Sequence, residues 1–410
     1  MLHCQGMRAI WCHVNISASK SLHTKAVLQN TPALIPFLEN ASEKHQDLSA
    51  WALGNIAGDS AEARDTIIAQ GAHHPLIRMV TNHTLASTTV SPTATSIGEA
   101  AYFCLSNLCR GQGARPELFA NDAVLASTLQ ILNVHIPVAL AGSDPPLVQN
   151  PELARPMLLS PETITTRASV GIASEALWFL TYMTANNESL CERLCKDGLM
   201  SLLTSAMQAT TEIATPMVSP ALRTLGNILA GEDAFTELAL QQANLFNGLG
   251  QCVTSPERSL RLEALWALSN IVAGKPEFAT AVVDEGLFPY IVRIIEYDAL
   301  QDPEMVTQAM YVINNTAHHG EAMCRFIYHK TDVLRQSLKV LRAGEGQSCK
   351  LVLQFLEMML QSHAQVSWKV EEEGGVECLE MFEYHDNEEL QRISSFLIDK
   401  YFYSNEEEPI

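Results

Sequence analysis

Trp51-Ala-Leu-Gly-Asn-Ile-Ala-Gly-Asp-Ser60 places a large ring at Trp51 and an amide at Asn55. Four residues is about one helical turn, so the two side chains share a face. The phrase returns as Trp11-Cys-His-Val-Asn15, Phe103-Cys-Leu-Ser-Asn107, Trp178-Phe-Leu-Thr-Tyr182, Arg223-Thr-Leu-Gly-Asn227, Trp266-Ala-Leu-Ser-Asn270 and Tyr311-Val-Ile-Asn-Asn315. First members at 11, 51, 103, 178, 223, 266 and 311 are 40, 52, 75, 45, 43 and 45 residues apart.

The short intervals match the roughly 40 to 47 residues of an armadillo or HEAT unit. The two long ones mark insertions near 81–97, Ser/Thr-rich from Thr81 to Ser96, and near 133–167, which contains Gly142-Ser-Asp-Pro-Pro146. Proline and small polar residues predict a surface loop in the second. Between these helices recurs a turn followed by an apolar run, as in Asn30-Thr-Pro-Ala-Leu-Ile-Pro-Phe-Leu38, Gln70-Gly-Ala-His-His-Pro75, Asp197-Gly-Leu-Met200, Glu285-Gly-Leu-Phe-Pro289 and Glu373-Gly-Gly-Val376. Glycine caps one helix in the left-handed conformation and proline can start the next. No convincing period-2 strand runs occur. The prediction is all-α: an armadillo-repeat, right-handed superhelical solenoid of about eight to nine repeats over 1–403, then an acidic tail at 404–410.

The chain has 410 residues, with 46 acidic against 26 basic side chains and a formal net charge of −20. That balance repels phosphate backbones and anionic lipid and favours basic partners. Nucleic acid and membranes are therefore not expected as partners. Ten cysteines lack a framework spacing, and Cys104, Cys109 and Cys252 sit in apolar helical contexts, which suits a reducing compartment. No segment offers about 18 uninterrupted apolar residues, and the N-terminus has no signal-peptide pattern, so a soluble intracellular protein is expected. Neither a phosphate-cradling GxxxxGK[ST] nor a GxSxG elbow occurs. Cys191 and Cys195 read as packing thiols, and His73-His74 and His318-His319 as surface histidines. No enzymatic activity and no cofactor are expected.

Stacked repeats would turn the ring and amide positions into two parallel ladders. An Asn amide both donates and accepts, which lets it hold an extended peptide backbone without reading its sequence. Adjacent rings would form slots for a lysine stem, worth about 0.5 to 2 kcal/mol per contact, with acidic side chains at the slot ends. Asn has no obvious packing reason to recur in helix interiors. An array of exposed Asn therefore needs a ligand or water to satisfy it.

Together with Leu105-Ser-Asn-Leu-Cys-Arg-Gly111, Ala221-Leu-Arg-Thr-Leu-Gly-Asn-Ile228 and Trp266-Ala-Leu-Ser-Asn-Ile-Val-Ala-Gly274, these phrases resemble the inner helices of the importin-α family. Ordered exceptions recur too: Tyr182 stands where one repeat of that family has Tyr, and Arg223 where the next has Arg. The stretch from Glu371-Glu-Glu-Gly-Gly-Val-Glu-Cys-Leu-Glu380 through Asn387-Glu-Glu-Leu390 to Lys400-Tyr-Phe402 resembles its last repeat. The resemblance implies a nuclear-import adaptor, moving between cytoplasm and nucleus, that binds basic localisation-signal peptides of cargo proteins. The major site would comprise Trp11, Asn15, Thr24, Trp51, Asn55, Asp59, Phe103, Asn107, Glu175, Trp178 and Tyr182, with Asp59 pairing the key lysine. The minor site would comprise Arg223, Asn227, Glu263, Trp266, Asn270, Tyr311 and Asn315. The family's export receptor is implied as a partner of the last repeat, to which Glu371-Glu372-Glu373 and Glu406-Glu407-Glu408, otherwise solvated charge runs, would contribute.

Departures also carry expectations. The family opens with a basic importin-β-binding segment and a further repeat, and residues 1–20 do not replace them, so recruitment of importin-β by that segment is not expected. Ser19 and Lys20 occupy a stretch where the family has Ser/Gly-Thr, Ala185 stands where an Asp follows the Tyr, and Phe103 and Tyr311 replace Trp. A weaker or altered signal preference follows, with the Asn ladder intact. The other reading is an armadillo or HEAT scaffold for helical or folded partners, not dedicated to import.

Overall fold

The computed structural model describes residues 2–19, 21–39, 41–86, 92–142, 160–298, 301–343 and 346–403, with side chains at 2–6 and 83–93 excepted. It divides into two compact units, Met1–Gly231 and Glu232–Ile410. The described residues are helices and turns, without strands.

The first unit holds α1 (Leu2–Ser17), α2 (Ser21–Leu28), α3 (Glu43–Asp59), α4 (Ala61–Ala69), α5 (His73–Ala86), α6 (Pro92–Cys109), α7 (Asp122–Ala141), α8 (Pro161–Thr184), α9 (Glu188–Lys196), α10 (Leu199–Ala206) and α11 (Val218–Leu229). Helices α1, α3, α6, α8 and α11 pack in that order, and α5, α7 and α10 form a second layer behind them. In the second unit come α12 (Asp233–Leu240), α13 (Leu245–Val253), α14 (Arg258–Ala273), α15 (Pro276–Asp284), α16 (Phe288–Asp298), α17 (Pro303–Ala317), α18 (Glu321–Lys330), α19 (Val333–Ala343), α20 (Gln347–Ser362), α21 (Gln365–Glu372), α22 (Gly375–Phe382) and α23 (Glu388–Ile398). There α14, α17, α20 and α23 stack, backed by α13, α16, α19 and α22. Leu265, Leu268, Ile271, Val312, Ile313 and Phe355 are fully buried between these layers. Each contributes about 1.5 to 3 kcal/mol of hydrophobic burial.

Local chemistry sets the helix ends. Side chains of Ser60, Asn121, Ser160, Asn187 and Asp302 accept from the backbone N–H groups of Ala63, Val124, Thr163, Leu190 and Met305. These bonds satisfy donors that a helix start leaves open. Gly71, Gly198, Gly286 and Gly374, the glycines of four of the turns quoted above, all have positive φ, as a left-handed cap requires.

Three segments differ from expectation. The apolar run after Asn30 forms two short 3-10 turns, Thr31–Ala33 and Ile35–Leu38, because Pro32 and Pro36 deny an α-helix its donors. The stretches read as insertions are partly helical: α5 reaches Ala86 and α6 starts at Pro92, while α7 reaches Ala141 and α8 starts at Pro161. What remains of those insertions, 87–91 and 143–159, lies outside the described residues, as do Lys20 and the tail at 404–410 with Glu406 to Glu408. Finally, α7 is long and apolar enough to cross a membrane by length and composition, with mean hydropathy 1.6. Here it packs against α5, α8 and α10, with Val124, Leu125, Leu132 and Ile136 buried.

Candidate functional site

On α3 the residues Asp47, Trp51, Asn55 and Asp59 follow at four-residue steps and therefore line one face. Helix α6 brings Glu99, Phe103 and Asn107 to the neighbouring position, and α8 brings Glu175, Trp178 and Tyr182. Helix α1 adds Trp11 and Asn15. The face thus carries three rows: rings, amides and carboxylates.

The rings do not stand apart as evenly spaced walls. Trp11 is 58% exposed, but the rings of Trp51 and Phe103 touch, with centroids 4.5 Å apart at 38°. Phe103 lies in a notch at Gly54, where an added Cβ would come within 2.6 Å of the ring. The expected slot between this pair is therefore absent: a ring smaller than indole, opposite a glycine, drops onto α3. Trp178 stacks on its own Tyr182, with centroids 6.1 Å apart at 22°.

The amides are also partly engaged. Asn55 Nδ2 approaches the Val14 carbonyl at 3.5 Å, and Asn227 Nδ2 donates to the Thr181 carbonyl at 2.9 Å and to Thr184 Oγ1 at 3.2 Å. In the second unit Asn315 Nδ2 donates to the Ser269 carbonyl at 3.1 Å. Each tie runs to the inner helix one repeat earlier, so recurrent Asn does have a packing role. That corrects the expectation that Asn has no packing reason to recur there. Asn15 and Asn107 instead donate to Trp11 and Phe103 on their own helices, at 3.0 and 3.1 Å. Asn107 is 8% exposed and lies against Gly58, which leaves it little reach toward a ligand.

Sequence reading missed two carboxylates, Asp47 and Glu99, although each sits four residues before a ring already singled out. Asp47 accepts from Ser96 Oγ at 3.0 Å. Burial raises its carboxyl above the ordinary range, against hydrogen bonds from Ser96 and Trp51 and the charge of Lys44. Glu99 lies over Gly171, and burial, then the charge of Asp47, pushes its carboxyl up to about 7. Glu175 reaches about 7 through burial and then the charge of Glu99. A cation placed on this row would favour the ionised forms and relieve their repulsion.

Asp59, expected to pair a lysine, is half-buried and accepts from Ser21 Oγ at 3.0 Å. Thr24 is 1% exposed, with its hydroxyl directed at the Ser17 carbonyl, so it lies beneath the surface rather than on the face. Arg223 is exposed on α11 beside Asn227, within the first unit. Glu263, Trp266 and Asn270 lie half-buried on α14, and Tyr311 and Asn315 on α17, within the second.

Other clusters read from sequence resolve into structure. Cys191 and Cys195 are buried, and burial pushes their thiols up to about 11 and about 12. His73 is not a free surface group: its ring meets His74 and the edge of Phe119, and burial lowers its basicity. His319 Nε2 lies 2.7 Å from the Val272 carbonyl. Glu372 and Glu373 pair with Lys369 at 2.9 and 3.1 Å, and Glu373 also lies 3.4 Å from Arg335, so that run is partly an ion-pair network. Among the described residues no three His, Cys, Asp or Glu side chains gather as metal ligands.

No family model matches the chain. It is 28% identical to importin subunit alpha-9 of Arabidopsis thaliana, across 97% of this chain and 71% of that protein. To importin subunit alpha-2 of Oryza sativa subsp. japonica it is 26% identical, across 97% of this chain and 70% of that one. Among solved structures, an engineered protein matches with TM-score 0.62 at 18% identity, covering 96% of this chain and 94% of its own. A designed armadillo repeat protein in complex with peptide (KR)4 matches with TM-score 0.50 at 19% identity, covering 58% of this chain and 94% of its own. The chain resembles importin subunit alpha proteins over nearly its whole length, and its fold is an all-α armadillo-repeat solenoid.

Proposed function

We propose that this importin-α-like chain is a nuclear-import adaptor that holds lysine- and arginine-rich localisation signals, in extended form, on the face built from α1, α3, α6 and α8. The observation that carries the reading is the coincidence, on α3, of Trp51, Asn55 and Asp59 with Asp47, beside the carboxylates Glu99 and Glu175 and the exposed ring of Trp11. Rings accept lysine stems, the carboxylates attract their charges, and the net charge of −20 favours encounter. Asp59 would exchange the Ser21 hydroxyl for the ammonium of a lysine. The second unit's Glu263, Trp266, Asn270, Tyr311 and Asn315 repeat the chemistry and would serve a second basic cluster. Import of such cargo places the protein in cytoplasm and nucleus.

Fluorescence anisotropy of a labelled short lysine-rich peptide, titrated with the chain and with its Asp59→Lys and Asn55→Ala forms, tests the reading. Saturable binding weakened by about 1 to 3 kcal/mol in each variant is expected. Absence of binding to the unmodified chain would sink it. The internally tied amides of Asn107, Asn227 and Asn315 favour one other reading, a scaffold for folded partners. A charge-matched amphipathic helical peptide binding more tightly than the lysine-rich one would establish that instead.

A further inference from the structure

We infer that the Trp51–Phe103 contact makes this face skip a position: a bound basic peptide is read as lysine on either side of that pair and tolerates a small residue opposite it. The inference rests on the peptide-binding reading above and specifies its ligand. A methylene stem held between two ring faces needs them about 7 to 8 Å apart, twice the optimal carbon–carbon separation of 3.5–4.0 Å. The centroids here are 4.5 Å apart, so the gap is about 3 Å too narrow. Opening it would require Phe103 to leave the Gly54 notch, where its ring lies so close that even a methyl group could not be added. It would also separate two rings whose contact is itself favourable.

The flanking positions differ. Trp11 is 58% exposed, and Asp59 lies at the end of α3. On the other side Trp178 is braced by Tyr182, with Glu175 one turn earlier. One flank therefore offers an exposed ring, the other a ring with a carboxylate one turn away, and the centre offers two rings already satisfied by each other. Alanine, glycine or serine at the centre leaves that contact intact; lysine gains no ring contact there and stays in solvent.

The test uses the full chain and a labelled hexalysine peptide flanked by Gly-Ser, with its six single Lys→Ala forms, read by anisotropy. One interior Lys→Ala form is expected to bind within about twofold of the parent peptide, while its neighbours lose about fivefold or more. In Phe103→Ala, shown folded by far-UV circular dichroism, the tolerated position should become as sensitive as the rest. Equal weakening at every interior position of the unmodified chain overturns the inference, whether or not Phe103→Ala folds. So does a folded Phe103→Ala with an unchanged profile. If the peptides bind but weaken uniformly, the groove reading survives and this inference fails; if none binds, both fail.

Discussion

The carboxylate row makes a demanding prediction about Glu175. Its carboxyl sits half-buried on α8, raised from an ordinary 4.5 to about 7 by burial and by the charge of Glu99. A group raised in the folded state binds protons more tightly there than in the unfolded chain. The contribution of Glu175 to folding stability therefore falls as pH rises from about 4.5 to about 7, and is level above that window. A tenfold change in protonation is worth about 1.4 kcal/mol, so ionising this one group costs the fold about 3 kcal/mol above pH 7. Glu175→Gln keeps the shape and removes the charge. It should stabilise the chain by about 2 to 3 kcal/mol at pH 8 and by less than about 1 kcal/mol at pH 5. Urea denaturation followed by far-UV circular dichroism at both pH values measures the difference. A variant equally stable or less stable at pH 8, or one whose gain does not depend on pH, would refute the electrostatic reasoning.

Arg64 is 3% exposed and its guanidinium donates to the carbonyls of Arg110 at 2.9 Å and Gln112 at 3.2 Å. Arg64→Ala should lose about 1.5 to 3 kcal/mol in urea denaturation, because the loop at Arg110 to Gln112 loses the charged donor that holds its carbonyls. Asn227→Ala should lose about 1 to 2 kcal/mol in the same assay, for its bonds to Thr181 and Thr184. Gly198 has φ 95° with open space around it, so Gly198→Ala should cost about 1 kcal/mol by backbone strain alone, and a neutral result would contradict that account.

The sequence made the repeat legible because ring and amide recur at a fixed four-residue offset and at intervals near one helical unit. Glycine turns were legible for a similar reason: Gly198 and Gly286 need a conformation that other residues avoid. What could not be read was the outcome of side-chain competition across helices. Nothing in Phe103 alone says that it will settle on Gly54, 49 positions away in the chain. Thr24 was placed on the surface by resemblance, yet its short hydroxyl turns to a carbonyl of the preceding helix. Asp47 and Glu99 are legible in the same way as Glu175 and Glu263, since each carboxylate stands one helical turn before a ring of the repeat.

The ties made by Asn55, Asn227 and Asn315 span 41, 46 and 46 residues. Each therefore closes a chain loop of almost the same size. Loop-closure entropy grows only with the logarithm of length, about 0.6 kcal/mol per doubling, so these three closures cost nearly the same. A ladder with equal rungs has no rung that must be climbed last. Assembly in either unit can start at whichever neighbouring pair of helices meets first and spread outward, as expected where contacts link only adjacent repeats.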